Sequence, residues 1–281
     1  MEFRFWGTRG SIPVPGPGTL RYGGNTPCCE VRTKSGHLVV IDAGSGIVGL
    51  GKKILQEGYD KKPLQATLLI THTHWDHIQG FPFFAPLFQP NHQWNILGPK
   101  HADRRLEQLL NGQLAPAFSP LENLQSLKAK ISFQEIGEGE LQIGSLTIKQ
   151  VFVPHTTVTL CFRFEEEGKA VVFATDLEYL GDEAEAQKQR MEKHFKGAEV
   201  LIHDGMFLEV DYPRFKGWGH ATAEDCLEMA RRSGNKRLYV YHHDPNRDDA
   251  SLEALLAVLE QKRRPGDPEI LLAKEGDAIC W

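Results

Sequence analysis

Short apolar runs, cut by polar residues, glycine and proline, recur along the whole chain. Runs at 2–6, 28–33, 38–42, 66–71, 93–97, 130–136, 140–153, 158–166, 170–174, 199–203, 237–241 and 269–273 predict β-strands. Apolar positions at helical spacing predict helices near 45–57, 101–111, 181–195, 222–233 and 251–263. Strands of antiparallel type fill each half, with helices between and after them. The expected architecture is a four-layer α/β (α+β) sandwich: two β-sheets face to face, helices outside, and one core serving a single domain over 1–281. The stretch 13–18 (PVPGPG) reads as a loop. The apolar, proline-broken segment 83–92 (FFAPLFQPNH) reads as a lid, an interface loop or ordinary packing.

One predicted strand ends in a cluster that packing does not explain. Residues 71–80 read THTHWDHIQG, which places His72, His74, Asp76 and His77 within six positions. Two imidazoles two residues apart on an extended segment point to the same side. The next two side chains need a sharp turn to follow. The pattern predicts two metal ions side by side, His72 and His74 on one, Asp76 and His77 on the other. Imidazole with carboxylate suits zinc, with manganese or iron(II) as alternatives.

A dinuclear site needs further ligands, and later strand ends offer them. His155 follows the run VFVP, Asp176 ends AVVFATD, and His242 ends LYVY. An unpaired carboxylate at the end of a buried strand is expensive, and Asp176 has two oxygens with which to bridge two ions. His242 and His243 are neighbours, so on a strand they face opposite ways and one of them is a ligand.

Composition narrows the partners. The net charge is −5, and no long basic run occurs, so no long nucleic acid is expected. A small anionic substrate remains compatible, because metal cations would dominate the local field. Five cysteines (28, 29, 161, 226 and 280) form no CxxC pair. With no apolar run near 18 residues and no signal-peptide core at the start, the expected location is cytoplasmic, without a membrane span.

The pattern HTHWDH, with His155, Asp176 and His242 following in order, resembles the metallo-β-lactamase-fold hydrolases from the first strand to about residue 245. The resemblance implies an αββα sandwich of two mixed sheets and a ligand set of His72, His74, Asp76, His77, His155, Asp176 and His242. In the segment 38–46 (LVVIDAGSG), it gives Asp42 the task of orienting a ligand imidazole. The segments 219–225 (GHATAED) and 201–207 (LIHDGMF) resemble those of the phosphodiesterase branch that includes ribonuclease Z and cyclic nucleotide phosphodiesterases. They pair His220 with Asp204, which stands where that branch has a longer glutamate. The glycine-rich loops 7–13 and 21–28 resemble the same branch. Many ribonucleases Z carry a tRNA-gripping arm between the third histidine and the bridging aspartate. Here only residues 156–175 separate His155 from Asp176, enough for two strands and a turn.

The resulting expectation is a dinuclear metal-dependent phosphodiesterase cleaving a small phosphodiester or nucleotide, such as a cyclic nucleotide, by metal-hydroxide attack. Asp76, His220 and Asp204 are its catalytic residues. Two alternatives stand: an acyl hydrolase on the same fold (lactonase, thioesterase or lactamase type) and a tRNA 3′-processing endonuclease. Phe83, Phe84, Phe88 and Trp218 are candidates to stack on a base, and the apolar 81–89 segment is the candidate face for a homodimer.

Overall fold

The computed structural model describes residues 1–280. The first sheet collects β1 (Glu2–Gly7), β2 (Cys28–Arg32), β3 (Leu38–Ile41), β4 (Leu64–Leu69), β5 (His92–Pro99) and β6 (Lys130–Ile136). The second collects β7 (Gly139–Ile143), β8 (Leu146–Val153), β9 (Thr159–Glu166), β10 (Lys169–Ala174), β11 (Val200–Asp204), β12 (Arg237–Tyr241) and β13 (Glu269–Leu272). Each sheet is laid out in near-sequential order, and β14 (Ala278–Cys280) returns to pair with β1 at the edge of the first.

Strict alternation on β1 turns Phe3 and Phe5 inward. There they meet Phe164, Phe173, Tyr239 and Tyr241 of the facing sheet, and this aromatic layer is the centre of the molecule. Two outer cores complete the four layers. One lies under α1 (Ile47–Ile54) and α3 (Leu106–Gly112). The other lies under α4 (Ala184–Phe195), α5 (Ala223–Ser233) and α6 (Asp249–Lys262).

The strand directions correct the antiparallel reading of the apolar runs and agree with the mixed sheets that the resemblance implies: β3, β4, β5 and β6 run parallel, as do β10, β11, β12 and β13. Parallel neighbours need a crossover, and α1, α4, α5 and α6 supply it. Alternation within a strand reports which face is buried and says nothing about direction. The run 140–153 is two strands, broken at Gly144, whose φ of +59° turns the chain into a hairpin. The 81–92 segment is mostly packing. Phe84 is fully buried against Trp94, with ring centroids 4.9 Å apart, so it is not available to stack on a base. Phe83 is exposed and Phe88 half-buried.

Parallel direction has one consequence for chemistry. It brings the carboxyl ends of β3, β4, β10, β11 and β12 to the same edge, the usual ligand edge of such sheets. No helix among the described residues is long and apolar enough to cross a membrane.

Candidate metal centre

After β4 the chain runs extended through His72 to His74 and then makes one helical turn, α2 (Trp75–Ile78). The extended part carries His72 and His74. The turn carries Asp76 and His77, which explains how six positions serve two neighbouring places. Three left-handed residues aim the remaining groups. Asp42, Asp176 and His242 each follow a strand end with φ of +60°, +54° and +59°. Ser11, with φ +62°, faces them from the amino-terminal loop. Such backbone costs about 1–3 kcal/mol per residue and collects at functional sites.

The seven predicted residues form two groups. His72, His74 and His155 are one, and Asp76, His77, Asp176 and His242 the other, with the candidate ligand atoms of each within 4.8 Å of one another. In the first, His155 Nε2 lies 3.2 Å from His74 Nδ1. In the second, His77 Nε2 lies 3.3 Å from His242 Nε2, 3.2 Å from Asp176 Oδ2 and 3.4 Å from Asp76 Oδ2. Asp176 Oδ1 lies 3.3 Å from His242 Nε2 and 3.8 Å from His72 Nε2, so its carboxylate touches both groups.

The outer hydrogen bonds decide what these nitrogens offer. His77 Nδ1 donates to Asp42 Oδ2 at 2.8 Å, and His155 Nδ1 donates to the Gly219 carbonyl at 2.7 Å. Thr71 Oγ1 donates to Asp42 and accepts from His72 Nδ1 at 3.1 Å. At His77, His155 and His72 the proton therefore sits on the outside and the inner nitrogen of the neutral ring presents a lone pair, while His242 Nδ1 is buried with no partner among the described residues. His72 Nε2 is buried with no hydrogen-bond partner among the described residues. Lone pairs facing one another and two carboxylates have no donor to satisfy them. Divalent cations fit that donor set, and outward protons on ligating imidazoles are the usual arrangement.

The electrostatics of the first group agree. Burial, reinforced by neighbouring imidazoles, lowers His72 far below the ordinary range and His74 to about 4, and burial also lowers His155. Neutral imidazole is the metal-binding form. In the second group burial would lower His77, but Asp176, Asp76 and Asp42 raise it well above the ordinary range, a pull on positive charge that a cation would answer in place of the proton. Burial would raise Asp176, but His242, His77 and His72 hold it well below the usual carboxylate range. Asp76 is likewise held down, chiefly by His77 against the effect of burial. Its Oδ2 also accepts from the Ser11 amide at 2.7 Å.

His220 and Asp204 flank the second group. His220 Nδ1 lies 2.8 Å from Asp204 Oδ2, so the shorter aspartate still reaches. The His220 ring stacks on His242, centroids 4.8 Å apart. Burial pulls His220 down, but Asp204, aided by Asp176, raises it to about 9. The helix cap of α5 is Thr222 in a capping box with Asp225, so His220 is free of that task. His243 faces the other way, its Nε2 2.8 Å from the Ala273 carbonyl.

Several contributors carry little signal in sequence. Arg9 is fully buried, with its guanidinium bonded to the carbonyls of Gly23, Asp244 and Arg247, which ties the amino-terminal loop to the loop after His242. At Gly10 a Cβ would come within 2.4 Å of the His242 ring, so glycine there leaves room for the imidazole. Thr71 and Ser11 act through a hydroxyl and an amide that resemble many others. Glu178 is visible only as an acidic residue two positions after Asp176.

Comparison with known proteins comes to the same place. Residues 37–243 match the family described as the β-lactamase superfamily domain. Ribonuclease Z of Thermococcus kodakarensis is 24% identical over 295 residues, spanning 86% of this chain and 83% of its own. The metallo-β-lactamase fold protein YhfI from Bacillus subtilis superposes with a TM-score of 0.71 at 18% identity, over 99% of this chain and 98% of its own. A diphosphatase from the PhnP family superposes with a TM-score of 0.69 at 17% identity, over 100% of this chain and 97% of its own. At these identities the two structures establish a shared fold.

Proposed function

Because the chain belongs to the β-lactamase superfamily and has the metallo-β-lactamase fold of its hydrolases, we propose that it is a dinuclear metal-dependent phosphodiesterase acting on a small phosphodiester such as a cyclic nucleotide. The observation that carries this reading is the His220–Asp204 pair set against the second metal-ligand group. An ester also develops an oxyanion and expels an alkoxide, but a phosphodiester carries negative charge on its phosphoryl oxygens throughout, and a fixed imidazolium beside the cations suits that charge.

In this reading His72, His74 and His155 hold one cation, and Asp76, His77 and His242 the other, with Asp176 between them. Zinc suits the imidazole-rich set. Divalent cations so held would supply Lewis acidity, neutralising phosphoryl charge and lowering the pKa of water. Asp76, pinned by the Ser11 amide, orients the attacking water and takes up its proton. His220 keeps Nδ1 on Asp204 and is held protonated, so Nε2 can donate to a phosphoryl oxygen or to the departing alkoxide. Asp42, through His77, fixes the lone pair that the second cation needs.

A tRNA 3′-end reading has in its favour the alignments with Ribonuclease Z of several archaea over most of those proteins' length. Against it, β9 and β10 are joined by a tight turn at residues 167–168, with Glu167 and Gly168 both left-handed, so no arm is inserted between His155 and Asp176. Assays of the zinc-loaded protein on bis(p-nitrophenyl) phosphate, cyclic AMP, a precursor tRNA and an acyl thioester separate the readings. We expect diester turnover, with kcat reduced about 10²–10⁴-fold in His220→Ala at unchanged zinc content. Turnover of the thioester alone would overturn the proposal, and cleavage of the tRNA with no small diester hydrolysed would replace it.

A further inference from the structure

Trp218 is 62% exposed, yet the turn that carries it is tied to the interior. It sits between Gly217 and Gly219, whose φ values of +87° and +88° form a turn that carries the indole away from the core. The amides of both glycines donate to one buried carboxylate, Glu178: Gly217 to Oε1 at 2.7 Å and Gly219 to Oε2 at 2.8 Å. The Tyr212 hydroxyl donates to Glu178 Oε1 at 2.6 Å, which ties the start of the same loop to the same point. The indole also rests on an aromatic column. Trp218 packs edge-on against Phe215, Phe215 stacks on Phe207 with centroids 4.4 Å apart, and Phe207 meets His220.

The turn is continuous with the metal-ligand residues. The Gly219 carbonyl accepts from His155 Nδ1, and His220 is the next residue. A cleft of about 240 Å³ opens beside it, walled by His155, Thr156, Leu180, Gln187 and the two glycines. The indole is carried on the turn whose two glycines wall this cleft, the cleft reaches a candidate metal ligand, and most of the ring is left in solvent with one face-edge contact to Phe215. It is arranged to meet a flat ring on whatever the centre holds, because stacking needs an oriented face and little else.

We propose that Trp218 is a specificity-determining residue that stacks on a nucleobase attached to the bound phosphate, and that Glu178 is the positioning residue that locks its turn. The inference rests on the phosphodiester reading and names its substrate class as nucleotides. It also explains a buried acid that the chemistry itself does not use.

Calorimetric titration of the zinc-loaded protein with adenosine 5′-monophosphate and with methyl phosphate tests it. The two ligands share the phosphate and differ in the base. We expect the wild type to prefer the nucleotide by at least about tenfold, consistent with one stacked base. Trp218→Ala should remove most of that preference while leaving methyl phosphate affinity within about twofold, and Trp218→Phe should retain much of it. Glu178→Gln places an amide donor against the glycine amides, and should lower the preference with Trp218 still present. A wild type that binds both ligands equally, or a Trp218→Ala variant that keeps the full preference, overturns this proposal alone. A zinc-replete protein that binds neither ligand overturns it together with the phosphodiester reading.

Discussion

Asp42 acts on the centre without facing it. Its carboxylate accepts the hydrogen bond of His77 Nδ1 and is itself held by the Thr71 amide and hydroxyl, so the inner nitrogen of His77 keeps its lone pair. Asp42→Asn can offer a donor where an acceptor is needed. We expect divalent metal affinity to fall about 10–100-fold with the far-ultraviolet spectrum unchanged, read by competition with a chromogenic chelator. His194, in the last turn of α4 and away from the centre, carries a separate prediction. Burial, with Arg163 nearby, lowers its pKa from the ordinary 6.5 to about 4. Above pH 6.5 both folded and unfolded chains hold it neutral. As pH falls, the unfolded chain binds the proton first, so stability declines between about pH 6.5 and 4 and His194 contributes no further loss below. Replacing it with glutamine should flatten that part of the urea-stability profile by on the order of 1–2 kcal/mol. At this scale the candidate ligands are legible because His and Asp carry their chemistry in the side chain. Ser11, Gly10 and the Gly219 carbonyl are not, since they act through backbone atoms or through the lack of a Cβ.

At the scale of elements, apolar patterning located nearly every strand and helix but left orientation open. The 81–89 segment shows why. Its phenylalanines read alike in sequence, yet the proline-led 3₁₀ turns at Phe81–Phe83 and Ala85–Phe88 send Phe84 into the core and Phe83 into solvent. Phe84→Ala should cost about 3–5 kcal/mol by urea denaturation, as expected for an emptied aromatic site. Phe83→Ala should stay within about 0.5 kcal/mol. Equal effects would contradict the packing described here. The α2 turn makes a related point. The chemistry of its residues calls for a sharp bend, and one helical turn, too short to give a periodic signal, provides it.

Across the whole molecule, the centre lies at a sheet edge and the cores lie elsewhere. The aromatic layer between the sheets and the two outer cores contain none of the seven candidate ligands. Removing metal should therefore lower the melting temperature without unfolding the protein. Stability should return with added zinc in proportion to the logarithm of its free concentration. Loss of the folded spectrum on chelation alone would show that the sandwich depends on its ions. The sequence by itself determined the layers and the seven candidate ligands, because burial patterns and ligand chemistry are properties of side chains in order along the chain. The tertiary structure decided the parallel direction of the central strands, the outward placement of the imidazole protons, and the joining of Glu178, Gly219, His155 and Trp218 into one support. Those depend on which distant backbone groups meet, and hydrogen bonds between remote carbonyls, amides and carboxylates leave no periodic trace in the sequence.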